Sequence, residues 1–372
     1  MARERKCHME QNDATVYEKL AEHLDRLPAG FPKTPTGVEL RILRRLFTPE
    51  EAAIAQLLVL KPEAPAAVAA RAGMDAEALA PKLEEMSRKG LIFRIRKGPE
   101  VRFMAAQFMI GIWEYHVNDL DKDLIRDVNE FLPYYMDRAY TASRTPQLRT
   151  VPISRSIHPE QAVMPYEEAR RIVEEQDNIL VAPCICRKEH AIVGEGCDKP
   201  LESCLVFGLG ADYYEENGLG RKIGRDEALR ILERAEEAGL VLQPSNAVKA
   251  VNICTCCGCC CQILINLKKL PKPADYVASA YFAELDPGKC VACGVCMDRC
   301  QMDAIAMESE TAAINLDRCI GCGLCAPTCP GEAITLRRKP EGEYTQPPKQ
   351  LWETYAKIAR DRAARLKAAS GA

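Results

Sequence analysis

The chain has 372 residues, of which 47% are hydrophobic, and its 50 Lys and Arg against 53 Asp and Glu give a formal net charge of −3. This length predicts two or three domains with hydrophobic cores, and so small a charge excludes a bulk attraction to nucleic acid or to a membrane surface. No apolar signal-peptide region follows the opening residues. The longest apolar stretch, near residues 52–60, is far short of the ~20 residues that span a bilayer. We therefore expect a soluble, cytoplasmic protein without a transmembrane segment.

The N-terminal third is predicted to be helical. Apolar residues at helical spacing predict a first helix, and prolines then predict an extended linker, so that residues 1–37 form an N-terminal helix and linker. The apolar residues are Val16, Leu20, Leu24 and Leu27, and the prolines are Pro28, Pro32 and Pro35.

Residues 38–105 contain the pattern of a helix followed by a helix-turn-helix pair and a β-hairpin. We predict helices over 38–47, 49–60, 65–72 and 75–89, and a hairpin that turns at Lys97-Gly98-Pro99. This order resembles a winged-helix domain, whose recognition helix would be 75–89. That helix carries Asp75, Glu77, Glu84 and Glu85 against Lys82, Arg88 and Lys89.

A helix that reads DNA gains much of its affinity from cations that neutralise phosphates, and the predicted recognition helix has one acidic residue in excess. We therefore expect a structural or protein-docking role for this domain, with DNA binding as the alternative. The hairpin is basic and could meet a phosphate or an acidic protein; its cations are Arg94, Arg96, Lys97 and Arg102.

Residues 106–160 are predicted to be a helical connector without a catalytic constellation. Apolar residues at 108, 112, 113 and 115 indicate the core face of one helix, and residues 130–140 indicate another. A segment rich in Thr, Pro and Arg at 141–160 predicts the boundary to the next unit.

Residues 161–283 form a predicted cysteine-rich domain with ten candidate metal ligands. Six of them fall within eight residues, where Cys254-x2-Cys257-x2-Cys260 has the spacing of an iron–sulfur cluster loop. The fourth ligand would come from the earlier block, and a helix over 225–242 would fold the chain back so that the two blocks meet. The ten residues are Cys184, Cys186, Cys197, Cys204, Cys254, Cys256, Cys257, Cys259, Cys260 and Cys261.

Other ligand frames stay open in this domain. Cys256-x2-Cys259 is a second frame, and the earlier block alone offers four thiolates. We expect one or two further iron–sulfur clusters here, with tetrahedral zinc as the alternative.

Residues 284–340 contain a duplicated cysteine motif in which the two copies align at an offset of 29 residues. Three thiolates at three-residue intervals in duplicate favour two iron–sulfur clusters over zinc or disulfides. The copies are Cys290-x2-Cys293-x2-Cys296-x3-Cys300 and Cys319-x2-Cys322-x2-Cys325-x3-Cys329-Pro330.

The segment 284–337, about a seventh of the chain, resembles a bacterial ferredoxin with two [4Fe–4S] clusters. The resemblance implies a βαβ-repeat fold in which the last cysteine of each copy binds the other cluster. One cluster would then be bound by Cys290, Cys293, Cys296 and Cys329, and the other by Cys319, Cys322, Cys325 and Cys300. Gln301 stands where the second copy has Pro330, which predicts an altered loop at Cys300 without loss of the ligand.

Residues 341–372 are predicted to be a tail with a C-terminal helix, whose face is formed by Leu351, Tyr355, Ile358 and Leu366. Its basic side could make peripheral contact with anionic lipid; packing on this protein or on a partner is the alternative. The sequence does not indicate an oligomeric state.

The predicted fold class is α+β, with a helical, winged-helix-like N-terminal domain, a cysteine-rich middle domain and a ferredoxin-like domain. This organisation resembles multi-cluster iron–sulfur proteins of anaerobes. We predict an electron-transfer protein that relays single electrons to or from redox protein partners, without a catalytic site of its own. The alternatives are a redox-sensing transcription regulator and a small-molecule reductase whose site lies at the middle cysteines.

Overall fold

The computed structural model describes residues 15–157 and 163–370. The chain divides into two compact units, the first ending at Ala142 and the second beginning at Ser143. The connector predicted at 106–160 is thus shared between the two units, and its predicted end at residue 160 lies outside the described residues. Helices and small sheets occur together, in agreement with the predicted α+β class.

The first unit contains the predicted order of helices and hairpin. Its elements are α1 (15–26), α2 (Val38–Leu46), α3 (Pro49–Ala55), α4 (Pro65–Ala72), α5 (Ala76–Arg88), β1 (Ile92–Lys97) and β2 (Glu100–Ala105). Helix α5 begins where predicted because the Asp75 side chain accepts a hydrogen bond from the N–H of Ala78. The assignment to the winged-helix class stays a prediction.

The linker predicted after α1 is not a free connection. Phe31 is buried and packs its ring 4.9 Å from that of Phe108 and 4.7 Å from that of Phe131. This extended segment is therefore part of the core of the first unit.

The helix predicted from the apolar residues at 108–115 is wrong in its first half. Met109 is extended and Ile110 has a φ of 55°, so only α6 (Trp113–Tyr115) is α-helical. The following helix, α7 (Lys122–Arg138), begins earlier than predicted because Asp121 caps it by accepting a hydrogen bond from the N–H of Leu124.

The second unit contains a five-stranded antiparallel sheet in the order β5-β3-β4-β7-β6. Its strands are β3 (Ile179–Pro183), β4 (Glu202–Phe207), β5 (Arg221–Ile223), β6 (Val241–Pro244) and β7 (Asn252–Cys256). The helices around it are α8 (Ala169–Glu174), α9 (Ile185–Val193), α10 (Gly208–Glu216), α11 (Arg225–Glu237) and α12 (Gln262–Lys268). The cysteines of the middle region lie on these strands and in the loops that follow them.

The single helix predicted over 225–242 ends earlier than expected. Helix α11 stops at Glu237, Gly239 has a φ of 73°, and β6 follows directly. A glycine in the left-handed region ends a helix by turning the chain back. The last residues of the predicted helix therefore belong to the sheet.

The duplicated cysteine motif lies between short strands of the same unit. These elements are β8 (Tyr281–Leu285), α13 (Val295–Arg299), β9 (Ile305–Glu308), β10 (Thr311–Ile314) and β11 (Ile334–Arg338). Strand β8 pairs with β11 and β9 with β10, both antiparallel. Turns replace the helix in the second copy, so the predicted strand–helix–strand order is complete only in the first.

The last element is the predicted C-terminal helix, α14 (Leu351–Ser370). Ile358 is buried, whereas Leu366 at the far end of the predicted apolar face is exposed. Asp361 accepts hydrogen bonds from Ser143 (2.7 Å) and Thr145 (2.9 Å), so the helix packs on its own unit. Among the described residues, every helix is too short or too polar to cross a membrane.

Candidate metal centres

The eight cysteines of the duplicated motif form two groups, and each group contains the last cysteine of the other copy. Cys296 lies close enough to Cys290, Cys293 and Cys329 to interact with their charges. Cys325 interacts in the same way with Cys319, Cys322 and Cys300. We call these groups the first and second ferredoxin sets. They contain the residues that the resemblance assigns to the two clusters; ligation itself stays a prediction.

Backbone amides point at four of these sulfurs in a pattern that repeats after 29 residues. Ala304 donates its N–H to Cys300 (3.3 Å) and Ala333 to Cys329 (3.3 Å). Across the copies, Ala312 donates to Cys290 (3.5 Å) and Ala283 to Cys319 (3.4 Å). Hydrogen bonds to sulfur stabilise the thiolate and raise the reduction potential of a bound cluster.

The second ferredoxin set surrounds a small cavity. All four of its cysteines line the cavity, and the remaining wall is mainly apolar, including Met302, Ile305 and Leu324. Burial raises the pKa of Cys322 to about 12, so this thiol would stay protonated without a cation beside it. The four thiols and the apolar cavity fit an iron–sulfur cluster, which supplies that positive charge.

The two ferredoxin sets differ in exposure. Each set has one buried cysteine, Cys296 or Cys325. Cys293 is exposed and the neighbouring Val291 is 61% exposed, whereas the equivalent residues of the second copy, Cys322 and Ile320, are half-buried and 3% exposed. The first set therefore faces solvent, and the second lies towards the rest of the unit.

Glycines allow the second loop to pack closely against its surroundings. Gly321 has a φ of 67°, and the equivalent residue of the first copy, Ala292, has a similar φ of 54°. In the second copy, however, a Cβ atom at Gly321 would lie 2.1 Å from the carbonyl oxygen of Tyr281. The same loop conformation thus occurs in both copies, and the glycine is required by the close contact in the second.

The crossed arrangement gives a first testable expectation. Cys300→Ser should perturb the cluster bound by Cys319, Cys322 and Cys325, and Cys329→Ser the cluster bound by the other copy. Electron paramagnetic resonance of each variant, compared in backgrounds that lack one cluster loop, distinguishes the clusters. Damage confined to the cluster of the variant's own copy would contradict the crossed assignment.

In the middle region, the sheet brings cysteines from distant parts of the sequence together. Strands β3, β4 and β7 are neighbours, and alternate residues of a strand lie on the same face. Cys254 and Cys256 therefore share one face of β7. Cys204 lies on the adjacent β4, one residue from the Leu205–Ile253 pair, and Cys184 follows the end of β3.

Six of these thiols form a continuous network, here called the six-thiol set. Cys261 lies within hydrogen-bonding reach of Cys186 and Cys256. Cys186 continues to Cys184, and Cys256 to Cys254, which in turn reaches Cys204. The hydrogen bonds from Cys186 and Cys256 lower the pKa of Cys261 well below its ordinary value. The network offers more thiolates than the four that a cubane cluster takes.

The remaining four middle cysteines, here called the four-thiol set, converge separately. The sulfurs of Cys197, Cys257, Cys259 and Cys260 all lie within 4.8 Å of one another. Cys261 donates its N–H to the carbonyl of Cys257 (3.0 Å), so residues 257–260 form one helical turn that gathers their side chains. Burial raises the pKa of Cys259 to about 11. This group could hold a metal ion or a further cluster.

The structure thus brings the two cysteine blocks together as predicted, but it divides them differently. Cys257 and Cys260 belong to the four-thiol set, whereas Cys254 lies with Cys204 and Cys256 in the other set. The frame Cys254-x2-Cys257-x2-Cys260 does not converge, and neither does a frame that joins Cys256 to Cys259. All eighteen cysteines that the structure describes are free thiols.

Arg187 is a residue whose role the sequence did not indicate. It is buried and donates hydrogen bonds to the carbonyl of Thr255 (2.9 Å) and to the sulfur of Cys257 (3.9 Å). Its charge also acts on Cys184 and Cys256. A buried cation next to both thiol sets offsets part of their negative charge.

The ferredoxin region touches the middle cysteines through Gln301. The Gly258 N–H donates to the side-chain oxygen of Gln301 (2.8 Å), and a side chain at Gly258 would meet the Gln301 carbonyl at 2.3 Å. Gln301 follows Cys300, and Gly258 lies between Cys257 and Cys259. This contact therefore joins the residue that follows Cys300 of the second ferredoxin set to the loop of the four-thiol set.

Two arginines fix the same junction by hydrogen bonding to helix ends. Arg299 donates to the carbonyls of Glu236 (2.7 Å) and Glu237 (2.9 Å) at the end of α11. Arg318 donates to the carbonyl of Lys268 (3.0 Å) at the end of α12. Cations are favourable at the carboxyl ends of helices, so these contacts hold the ferredoxin region on the middle region.

A comparison with protein families supports the ferredoxin-type part of the site. Residues 283–336 match the family described as "4Fe-4S dicluster domain". Searches of curated proteins and of solved structures gave no match. The chain therefore contains an iron–sulfur ferredoxin-type domain, which supports a role in electron transfer.

Proposed function

We propose that this protein relays single electrons between a redox protein partner and an iron–sulfur cluster in its middle region. The relay passes through the two ferredoxin clusters in sequence. Substrate chemistry belongs to the partner, because the chain's contribution is a row of redox centres held in a protein interior with hydrogen-bonded sulfurs.

The contact between Gln301 and Gly258 carries this proposal. Electron tunnelling weakens steeply with distance, and here the residue after a ligand of the second ferredoxin cluster touches the cysteine loop of the middle region (2.8 Å). The more exposed first set would exchange electrons with the partner. The less exposed second set would pass them across the contact to the loop 257–260, whose two flanking residues, Cys256 and Cys261, belong to the six-thiol set.

The further cluster belongs to the six-thiol set in this proposal. Cys256 and Cys261 are buried and the other four cysteines are half-buried. The set spans the strands β4 and β7 and the start of α9, so protein surrounds the site on several sides. A cluster with a buried environment and a nearby cation in Arg187 can hold an added electron without a large reorganisation of solvent.

The first unit favours the relay over a DNA-binding regulator. In the basic hairpin, Arg94 and Arg96 form ion pairs with Glu84 of α5 at 2.7 and 2.9 Å. At the C-terminal end of α5, Lys89 pairs with Glu51 at 2.7 Å. Cations engaged in this way are less available to neutralise phosphates.

Metal and electron counting tests the relay on the full chain purified without oxygen. We expect about twelve cluster iron and twelve acid-labile sulfide per chain, and an uptake of about three electrons in a reductive titration. Eight of each with an uptake of two electrons would show that the middle region holds no cluster, and would reject the relay beyond the ferredoxin domain.

A further inference from the structure

The four-thiol set has tighter spacing than any other group of potential ligands among the described residues. All four sulfurs lie within 4.8 Å of one another, and Cys260 is 3.6 Å from Cys197 and 3.8 Å from Cys259. Around one zinc ion with Zn–S bonds of about 2.3 Å, tetrahedral geometry places neighbouring sulfurs about 3.8 Å apart. The measured separations match ligands of one ion.

A cubane cluster requires a wider arrangement, because each thiolate binds a different iron at a different corner. Neither ferredoxin set reaches the mutual 4.8 Å spacing, and within the described residues the six-thiol set does not either. The distances between sulfurs therefore fit a single ion in the four-thiol set, and they are wider in the two ferredoxin sets and the six-thiol set.

We propose that Cys197, Cys257, Cys259 and Cys260 bind a single tetrahedral divalent ion, zinc or ferrous iron, and not a cluster. Both ions accept four thiolates in this geometry. Four thiolates around a divalent ion leave two negative charges, and the Arg187 guanidinium 3.9 Å from Cys257 offsets part of them. The site is additional to the clusters of the electron relay.

An ion at this position would join two separate loops of the middle region. It ties the helical turn at 257–260 to the loop that carries Cys197, and this turn presents Gly258 to Gln301. A closed tetrathiolate site of this kind contributes folding energy directly. The ion therefore fixes the surface on which the ferredoxin region docks.

Metal and sulfide analysis of the full chain, purified without oxygen, tests the proposal. We expect one metal per chain in excess of the acid-labile sulfide: one zinc, or one iron beyond the number matched by sulfide. Cys197→Ser should remove this ion and leave the sulfide content unchanged. Cys259→Ser, at an exposed position, should do the same if Cys197→Ser does not fold.

The matched control is Cys254→Ser in the six-thiol set, which should leave the extra ion in place. A loss of about four iron together with four sulfide in Cys197→Ser would show a cluster at this site. An unchanged metal content in a variant that keeps its ferredoxin spectrum would show that the four thiols bind no ion. A wild-type chain with eight iron, eight sulfide and one zinc would reject the longer relay while supporting this site.

Discussion

Serine at Cys254, Cys256 and Cys261 together should remove about four iron and about four sulfide per chain and leave the two ferredoxin clusters intact. These three residues are central to the six-thiol set, since Cys256 lies within hydrogen-bonding reach of both others. Because binding of a cluster contributes folding energy to a site that cannot form without it, the variant should also unfold at a lower temperature. Iron and sulfide content and thermal unfolding measure the two effects.

The matched control for this variant is Cys197→Ser, which changes a cysteine of the same region but of the four-thiol set. It should keep all of the cluster iron and sulfide. If the triple variant also kept its full iron and sulfide, the six thiols would not be cluster ligands and the relay would lack its last centre.

The ferredoxin sets were predictable from sequence because a tight loop carries three of the four ligands at fixed spacing. The fourth ligand follows from the internal repeat, since two copies related by 29 residues place their last cysteines symmetrically. The amide pairs that reach Cys290 and Cys319 repeat with the same offset. Local chemistry and duplication together determine this site.

The sequence predicted that the two blocks of middle cysteines meet, but not how these cysteines are grouped. The predicted cluster loop Cys254-x2-Cys257-x2-Cys260 assigns Cys254 and Cys257 to one set. In the structure, β7 ends at Cys256 and a helical turn begins after it. The change from strand to turn directs Cys254 and Cys257 to different sets. Cys204 joins Cys254 only through the pairing of β4 with β7, a long-range contact that spacing along the chain does not reveal.

Gln301 departs from the internal repeat, but the sequence did not indicate which contact it makes. Its departure from Pro330 in the other copy predicted an altered loop. The structure also shows that its side chain accepts a hydrogen bond from the N–H of Gly258 (2.8 Å). Proline at this position has no side-chain acceptor. The departure from the repeat thus coincides with the contact to the middle region.

Gly258→Ala should slow electron transfer from the ferredoxin clusters to the middle cluster without removing iron from either. The new methyl group would lie 2.3 Å from the carbonyl oxygen of Gln301, so the two loops must move apart. Overpacking of this kind costs about 1–3 kcal/mol, which weakens the docking of the ferredoxin region. Rapid-freeze electron paramagnetic resonance after mixing with a one-electron reductant measures the delay between reduction of the ferredoxin clusters and of the middle cluster.

Gln301→Pro separates the loss of the hydrogen bond from the effect of added bulk. Cys300 has φ −77° and ψ 112°, an extended conformation that tolerates a following proline, so ligation at Cys300 should survive. The variant loses two side-chain hydrogen bonds, one from the Gly258 N–H and one to the carbonyl of Arg299 (3.3 Å). Only the first spans the contact, and because a hydrogen bond is worth about 0.5–1.5 kcal/mol, the variant should delay the middle cluster less than Gly258→Ala does. The control is Gly288→Ala, at a glycine outside this contact whose nearest neighbour, the Asp286 side chain, lies 3.3 Å from the position of an added methyl group; it should leave the delay unchanged. Equal transfer rates in wild type, Gly258→Ala and Gln301→Pro would show that electrons do not cross at this contact, because each variant alters it in a different way.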